Sequence, residues 1–327
     1  MIIGFTYDLK DDYLAEGFSE LEVAEFDTTE TIFSIRDTLE NLGHSVILVG
    51  NAKALLKRLA AGERWDLVFN ICEGVKGFGR EAQIPAILDV FELPYVFSDP
   101  LVMSLTLHKG FTKRIIRDLG IPTAPFEIVQ HVADAESVEL PFPLFVKPVA
   151  EGTGKGIGHD SKISDKAELI KVCRRLLSNF SQPVLVETFL PGREITVGIV
   201  GTGDSSRVIG MMEVLWKNSG ISGIYSYHSK ANYQGLIEYQ VPESELYQRC
   251  AEVALASWKG LGCRDGGRID LRLDAAGVPN FLEVNPLAGL NPVHSDLPIL
   301  AGKAGIEFKE LIDMILQSAM ERVGAHK

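Results

Sequence analysis

The first hundred residues alternate between two apolar periods, one typical of strands and one typical of helices. Strands are predicted at 2–5, 45–49 and 65–70, and helices from about Asp27 to Gly43, at 52–60 and at 81–91. This order predicts a parallel sheet with helices on both faces, in which ligands gather at the carboxyl ends of the strands. Glu73 and Gly74 follow one of those ends. Residues 11–25 carry many acids and little periodicity, which indicates a loop, either near the substrate side or a disordered surface segment.

A second stretch of alternating elements runs from about Leu101 to residue 190. It has predicted helices at 109–119 and 166–177 and predicted strands at 126–129, 144–149 and 184–187. Lys147 lies in the second of these strands and leads into the sequence EGTGKGIG at 151–158. Glycines let several backbone N–H groups approach a phosphate because no Cβ blocks the way, although a flexible turn would have the same composition. A Walker loop is excluded, since its spacing G-x-x-x-x-G-K-[ST] is absent.

The remaining chain, from 191 to 327, predicts a third unit. Its predicted strands lie at 195–200, near 208, at 268–273 and at 280–284, and its predicted helices at 243–260 and 307–322. Residues 217–239 form a long stretch without periodicity, and loops of this length inside compact domains are often lids. Glu187 and Glu194 bracket an apolar corner at the start of this unit, where a base and a ribose could lie; ordinary surface carboxylates would give the same pattern.

The most informative pattern is a hairpin within 268–284, predicted from alternating apolar residues around an Asp-Ala-Ala-Gly turn. Because side chains alternate across a strand, Asp270 shares a face with Arg268, and Glu283 shares a face with Asn285. Pairing of the two strands would bring these carboxylate and amide oxygens together. Such hard ligands suit Mg2+ (or Mn2+) that keeps some waters and shares phosphate oxygens. A surface hairpin with solvated carboxylates is the alternative that this segment alone leaves open.

Composition narrows the classes of function. The net charge of -12 disfavours nucleic acid, whose binding depends on basic contacts to phosphate. A hydrophobic fraction of 46% over 327 residues is typical of globular proteins, and no segment is apolar enough to span a membrane. The start of the chain lacks the features of a signal peptide, so a cytoplasmic location is expected. The four cysteines have no metal-type spacing, and the absence of G-x-G-x-x-G after the first strand argues against an NAD enzyme.

Taken together, these segments resemble an ATP-grasp ligase, and most closely the D-alanine–D-alanine ligase family. The resemblance rests on Lys109 and on the stretches FVKPVAEGTGKG, VETFLPGREITV, GRIDLRLD and FLEVNP, in that order and spacing. It covers nearly the whole chain from about Val68 onward. It implies an α/β fold of three domains, with an amino-terminal parallel α/β domain at 1–100 and two α+β domains at 101–190 and 191–327 that sandwich ATP. A homodimer is the family's usual assembly.

The resemblance implies a set of ATP contacts. Lys109 and Lys147 would contact the phosphates, and the loop of Gly152, Thr153 and Gly154 would close over them. Adenine would be held by Glu187 and by the backbone at Phe189 and Leu190, and the ribose side by Glu194.

The resemblance also implies the residues that act on the substrates. The magnesium ligands would be Asp270, Glu283 and Asn285. Arg268 would lie beside the reacting carboxyl, Gly289 at the oxyanion, and Lys230, in the predicted lid, near the transferred phosphate. Ser295 would receive the carboxylate of the second substrate.

The substrate side departs from the family. The family's Gly-Gly-x-Ser-x-Glu loop, whose glutamate holds the ammonium of the first D-alanine, is replaced by GFTYDLK without a clear equivalent. Glu73 stands where the family has histidine, and Ala231 where it has the lid tyrosine. We therefore expect an ATP-dependent carboxylate–amine ligase that joins two small amino-acid-like substrates, of which the first is not, or not only, D-alanine. Glu73 is expected to contact a substrate ammonium.

Two alternatives stay open on the sequence. The chain would be a true D-alanine–D-alanine ligase of peptidoglycan synthesis if its amino-terminal loop had diverged without changing the substrate. It would be a nucleotide-binding sensor without turnover if the ATP site served binding alone. Against the sensor, all three magnesium ligands and both ATP lysines are present, and binding alone does not need all of them.

Overall fold

A computed structural model describes residues 1–216 and 237–324. Its strands are β1 Ile2–Thr6, β2 Ser45–Gly50, β3 Leu67–Asn70, β4 Phe126–Val129, β5 Leu144–Pro148, β6 Lys162–Ile163, β7 Val184–Thr188, β8 Glu194–Val200, β9 Arg207–Trp216, β10 Ile237–Gln240, β11 Gly266–Leu273 and β12 Pro279–Asn285. Its helices are α1 Lys10–Ala15, α2 Thr29–Asn41, α3 Ala52–Ala60, α4 Gln83–Val90, α5 Pro100–Leu107, α6 Lys109–Asp118, α7 Lys166–Phe180, α8 Ser244–Leu261, α9 Asp296–Lys303 and α10 Phe308–Gly324. Within this part of the chain no helix is long and apolar enough to cross a membrane.

The strands form three sheets, one in each of the three segments proposed from the sequence. The first is parallel, in the order β2-β1-β3. The second has the order β4-β7-β5-β6, and the third has the order β10-β9-β8-β11-β12; both are antiparallel. The predicted class, a parallel α/β unit followed by two α+β units, matches these sheets. The domain boundaries themselves stay a prediction.

One buried apolar cluster contains residues of the first sheet and of the last two helices. Phe5 of β1 and Ile35 of α2 belong to one buried cluster with Leu300 of α9 and Ile315 of α10. Because burial of apolar surface is the main stabilising term in folding, this shared core holds the amino-terminal sheet against the third sheet.

The other two sheets have their own cores. Trp258 of α8 is fully buried against the third sheet, in a cluster that includes Ile269 and Leu271 of β11. Cys173 and Leu176 of α7 pack on the second sheet. In β11 the apolar residues Ile269, Leu271 and Leu273 alternate with the charged residues Arg268, Asp270 and Arg272, as predicted, so packing of the apolar face against the core places the charged residues on the other face.

Two expectations about local structure were wrong, and helix α5 was missed. Residues 11–25 were expected to be a loop, but α1 occupies part of this segment. The long stretch at 217–239 was expected to be a loop to its end, but β10 begins at Ile237 and pairs with β9. Helix α5 was not predicted, although Asp99 and Pro100 are typical of a helix start. The Asp99 carboxylate accepts a hydrogen bond from the backbone amide of Val102 at 2.9 Å, and proline occupies the first turn.

Candidate active site

The β11–β12 hairpin places the predicted metal ligands side by side. Asp270 lies opposite Glu283 and Arg268 lies opposite Asn285 in the antiparallel register, with an irregularity directly after Asp270. Asp270 Oδ1 accepts a 3.0 Å hydrogen bond from Thr196 Oγ1, and its Oδ2 accepts one from Asn285 Nδ2 at 3.3 Å. Arg268 also pairs with Asp270. The hairpin thus holds two carboxylates and an amide at one end of the third sheet.

The two predicted ATP lysines approach this hairpin from α6 and β5. Glu283 Oε2 lies 3.4 Å from Lys147 Nζ and 3.7 Å from Lys109 Nζ. Burial lowers the pKa of Lys109, whereas the pKa of Lys147 is raised because the charges of Glu187 and Glu283 outweigh its burial. Lys147 therefore stays cationic at neutral pH. Cations beside carboxylates form a suitable place for phosphates and a metal ion that bridges them.

A buried ion pair beneath these lysines was missed from the sequence. Lys113 is completely buried, and its Nζ lies 2.8 Å from Glu187 Oε2 and 2.6 Å from Thr123 Oγ1. Burial raises the pKa of Glu187, but the charges of Lys113 and Lys147 lower it more. The available signal was the spacing of four from Lys109, which puts both lysines on one face of α6. Glu187 is thus anchored as an anion by two lysines at the floor of the site.

A cleft of about 890 Å³, the nucleotide cleft, lies between the second and third sheets. It is lined by seven residues for which ATP contacts were predicted: Lys109, Lys147, Gly154, Glu187, Phe189, Leu190 and Glu194. Glu194 is paired with Arg272 at 3.0 Å, and the guanidinium of Arg272 lies 5.2 Å from the centre of the Phe189 ring. The cleft therefore combines a flat aromatic and aliphatic wall with cations at one end, which suits a nucleoside with phosphates.

A second, larger cavity of about 1630 Å³, the substrate cavity, lies between the first and third sheets. It is lined by the predicted residues Glu73, Gly152, Thr153, Asn285, Gly289 and Ser295. Lys109, Arg268 and Glu283 line both spaces, so the two spaces meet at these charged groups. Asp270 lines only the nucleotide cleft. A phosphate bound at the junction would face the substrate cavity.

The glycine loop, residues 151–158, covers this junction and is held by the amino-terminal segment. The amide of Gly152 donates to Glu25 Oε1 at 2.6 Å, and Glu25 pairs with Arg80 at 3.0 Å and with Lys155 at 3.4 Å. Arg80 also donates to the carbonyl of Ala150 at 2.9 Å. Glu25 and Arg80 were not among the predicted site residues, because no local pattern shows that the two segments meet.

Three carboxylates on the wall of the first domain also face the substrate cavity, and only Glu73 was predicted. The others are Asp27, beside the start of α2, and Glu81, which is 8% exposed. Burial and the charge of Asp8 raise the pKa of Asp27 to about 7, and burial raises that of Glu81 to about 7. Burial, with the charges of Glu81 and Glu25, raises the pKa of Glu73 well above its ordinary range.

The far wall of the substrate cavity carries Arg268, Gly289 and Ser295. The pKa of Arg268 is raised because the charges of Asp270 and Asp296 outweigh its burial. A Cβ at Gly289 would come within 2.7 Å of Ser295 Oγ, so this close approach requires glycine. Ser295, at the start of α9, accepts a 3.0 Å hydrogen bond at its Oγ from the backbone amide of Asn291. Lys230, predicted in the lid, lies outside the described residues.

The donors on the hairpin fit Mg2+. Across residues 1–216 and 237–324, no three His, Cys, Asp or Glu side chains cluster as a protein-only metal site. Mg2+ bound with ATP does not require such a cluster, since one or two carboxylates together with phosphate oxygens and waters complete its coordination. Asp270 and Glu283, opposite each other in the register, provide the two carboxylates, and Asn285 adds an amide oxygen.

Comparisons with known proteins agree with this geometry. Residues 115–317 match the family model described as D-ala D-ala ligase C-terminus. The chain is 32% identical over 285 residues to a D-alanine--D-alanine ligase of Aquifex aeolicus, covering 86% of this chain and 92% of that one. It is 32% identical over 303 residues to the uncharacterized protein y4sG of Sinorhizobium fredii, covering 88% and 87%. A solved D-alanine--D-alanine ligase of Bacillus anthracis, complexed with ATP, superposes with a TM-score of 0.72 at 21% identity over 100% of both chains, which confirms the predicted fold.

Proposed function

This chain belongs to the D-alanine–D-alanine ligase family of ATP-grasp enzymes, and from that premise we propose that it joins a carboxylate to an amine through an acyl phosphate, releasing ADP and phosphate. The observation that carries this proposal is the junction between the two cavities, where Lys109, Arg268 and Glu283 line both. A γ-phosphate on one side of these groups would meet a carboxylate on the other. Because cytoplasm supplies ATP, we place the reaction there.

In the proposed complex, ATP lies in the nucleotide cleft. Its phosphates contact Lys109, Lys147 and the backbone N–H groups of the glycine loop, where the lack of Cβ atoms allows close approach. Adenine lies against Phe189 and Leu190, beside Glu187, and the ribose lies beside Glu194. Asp270, Glu283 and Asn285 would hold Mg2+. When bound there, Mg2+ would neutralise the phosphate charge that develops during transfer.

The first proposed step activates the carboxylate. A carboxylate oxygen of the first substrate attacks the γ-phosphorus, the bond between that phosphorus and the bridging oxygen breaks, and ADP leaves with the electron pair. Two anions must meet in this step, so the cationic groups of Arg268, Lys109 and Lys147 lower its barrier. The pKa shifts of Arg268 and Lys147 keep both side chains charged at neutral pH.

The second proposed step forms the amide bond. The neutral amine of the second substrate attacks the acyl carbon, a tetrahedral oxyanion forms, and inorganic phosphate leaves while the amine loses a proton. Arg268 and the backbone N–H at Gly289 stabilise the oxyanion, and Ser295 orients the second substrate through its carboxylate. The acyl phosphate hydrolyses readily in water. Cover by the glycine loop, held by Glu25, would exclude water from the junction.

The residues that line the substrate cavity are the part of this chain that differs from the D-alanine–D-alanine ligase pattern. The carboxylates of Asp27 and Glu81 line the substrate cavity together with that of Glu73. We propose that the first substrate is not, or not only, D-alanine and that Glu73 contacts its ammonium. Glu73→Gln is then expected to raise the KM for the amino-acid substrate, whereas unchanged kinetics would remove Glu73 from the site.

The test is ADP release from ATP and Mg2+ with D- and L-amino acids, singly and in pairs, with mass spectrometry of the products. Amide formation that depends on two amino acids supports the ligase, and exclusive formation of D-alanyl-D-alanine would identify a true D-alanine–D-alanine ligase. The matched controls are Asp270→Asn, which removes a proposed magnesium ligand, and Glu40→Gln, an exposed change on α2. ATP binding without ADP release for every pair would favour a sensor and overturn the proposal.

A further inference from the structure

The substrate cavity has an excess of negative charge on the wall of the first domain. Four of its acidic groups are neutralised locally: Glu283 by Lys109 and Lys147, Glu151 and Glu25 by Lys155, and Asp296 by Arg268. The carboxylates of Asp27, Glu73 and Glu81 have no hydrogen bond or ion pair to another side chain or amide in residues 1–216 and 237–324. All three line the same cavity.

Glu81 makes this cluster more than a solvated acidic surface. Its side chain is more than nine-tenths buried, with 8% exposure, yet it faces the cavity without a partner among the described residues. Burial of an ionised carboxylate is costly unless it is paired, and the charges of Arg80 and Lys109 near Glu81 form no ion pair with it, so a cation bound in the cavity would have this carboxylate as its partner. Arg80, the adjacent cation, is already bound to Glu25 and to the carbonyl of Ala150.

A single metal ion does not satisfy these carboxylates. Within the described residues these three side chains do not form a group that could hold a metal ion. The α-ammonium of an ordinary amino acid would also satisfy only part of the wall, because one ammonium has three donors directed from one atom. A ligand with two separated cationic groups matches the arrangement better.

We propose that the wall of Asp27, Glu73 and Glu81 binds a second cationic group of the first substrate, so that this enzyme activates a basic amino acid with a side-chain ammonium or guanidinium. This inference rests on the proposed ligase function, since it names the substrate class of the same site. In this arrangement the substrate carboxylate faces Arg268 and Gly289, and its two cations face the opposite, acidic wall. A neutral side chain would leave these carboxyl groups without a cationic partner, which disfavours its binding.

The decisive experiment compares lysine with norleucine, which has the same carbon chain without the ε-ammonium. Each, in its D and L forms, is titrated calorimetrically into the full-length protein with Mg2+ and a non-hydrolysable ATP analogue. We expect one stereoisomer of lysine to bind roughly tenfold to a hundredfold more tightly than the matching norleucine, the factor typical of a charge-assisted hydrogen bond. Equal binding of lysine and norleucine would overturn the inference, whether or not any variant folds. Ornithine, 2,3-diaminopropionate and arginine then measure the preferred length.

Variants of the same size without the charge show which carboxylates cause the preference for lysine over norleucine. Glu81→Gln is expected to reduce the lysine-to-norleucine ratio at least about fivefold while norleucine binding stays within about twofold, whereas Glu73→Gln, at the proposed ammonium contact, is expected to weaken the binding of both amino acids. Glu40→Gln, on the exposed face of α2, is expected to leave the ratio unchanged. A ratio that persists in Glu81→Gln would show that the cation binds elsewhere and would overturn the assignment to this wall.

ADP release separates this inference from the ligase proposal. Selective lysine binding with no ADP release in any substrate pair would overturn the ligase function and retain the cation site. ADP release that is as fast with neutral amino acids as with basic ones would retain the ligase and overturn the cation site. Selective binding together with selective turnover of a basic amino acid supports both.

Discussion

The backbone amide of Gly152 donates a 2.6 Å hydrogen bond to the carboxylate of Glu25. A Cβ at position 152 would lie 2.5 Å from the same oxygen, so a larger residue there would displace the Glu25 carboxylate. This contact joins the glycine loop over the nucleotide cleft to the amino-terminal segment beside the substrate cavity. In the proposed complex with ATP, this contact would link the cover over the phosphates to the amino-terminal wall of the substrate cavity.

Glu25→Gln should weaken this link without removing the side chain. Glutamine keeps one acceptor for the Gly152 amide but lacks the charge that holds Arg80 and Lys155. We expect faster backbone hydrogen exchange across the glycine loop and a fall in kcat of about tenfold, the effect of losing one charge-assisted contact. Glu40→Gln provides the control. Unchanged exchange at 151–158 would mean that the loop is held by other contacts.

The sequence predicted the residues that line the nucleotide cleft better than those that line the substrate cavity, and the reason is physical. Asp270, Glu283 and Asn285 lie on strands, where the period of two and the hairpin pairing determine which side chains meet. Lys147 and the glycine loop are adjacent in the chain, so local composition indicated their role.

The substrate side depends on long-range contacts that no period encodes. Glu25 and Asp27 reach the cavity only because α1 and the following turn fold back on β1, where the amide of Asp27 donates to the carbonyl of Asp8 at 3.1 Å. Glu81 follows a turn and begins a helical segment, a position that commonly faces solvent. Lys113 differs from these residues, because its spacing from Lys109 was available in the sequence and was not used.

Lys113→Met tests the buried ion pair beneath the ATP lysines. Methionine has a similar length but no charge, so Glu187 would lose the partner at 2.8 Å and keep only Lys147, at 3.6 Å. Breaking a buried pair on one side typically costs several kcal/mol, and we expect a loss of about 3 kcal/mol in the free energy of unfolding. The KM for ATP should also rise, because Lys147 would be drawn more strongly to Glu187 and less to phosphate.

Chemical denaturation and ATP titration measure these two effects of Lys113→Met. Lys171→Met, at an exposed position of α7, is the matched control and should change both quantities little. A variant at position 113 that is as stable as the parent protein would show that the pair contributes no net stability.

Glu283→Gln tests the metal site at the junction of the two cavities. The substitution preserves size and hydrogen bonding but removes the charge that faces Asp270 across the hairpin and neutralises Lys109 and Lys147. We expect the Mg2+ concentration for half-maximal activity to rise roughly tenfold to a hundredfold, as is usual when a metal site loses a supporting group. A Mg2+ titration of ADP release measures it. If half-saturation coincided with that of Glu40→Gln, Glu283 would not be a magnesium ligand.

Glu81→Gln should make the protein more stable at alkaline pH while weakening the binding of basic amino acids. Burial raises the pKa of Glu81 to about 7 from an ordinary value of 4.5, so the folded protein holds a proton that the unfolded chain has lost between these two values. The stability contributed by the neutral carboxyl is thus complete below about pH 4.5 and is lost as the pH rises to about 7. The loss amounts to about 3 kcal/mol at 1.4 kcal/mol for each pH unit.

The same titration should oppose ligand binding at low pH. Glu81 is faced by Arg80 and Lys109, which favour its ionised form, and by Glu25 and Glu73, which disfavour it. A bound cation would favour ionisation further, so lysine should bind more tightly as the pH rises through 7, with release of protons from the carboxyl groups. Glu81→Gln should reduce the pH dependence of both the stability and the lysine affinity. Urea denaturation and lysine titration at pH 5 and pH 8 measure these two quantities. If they changed with pH by the same amount in the parent and in the variant, the pKa of Glu81 would not be raised.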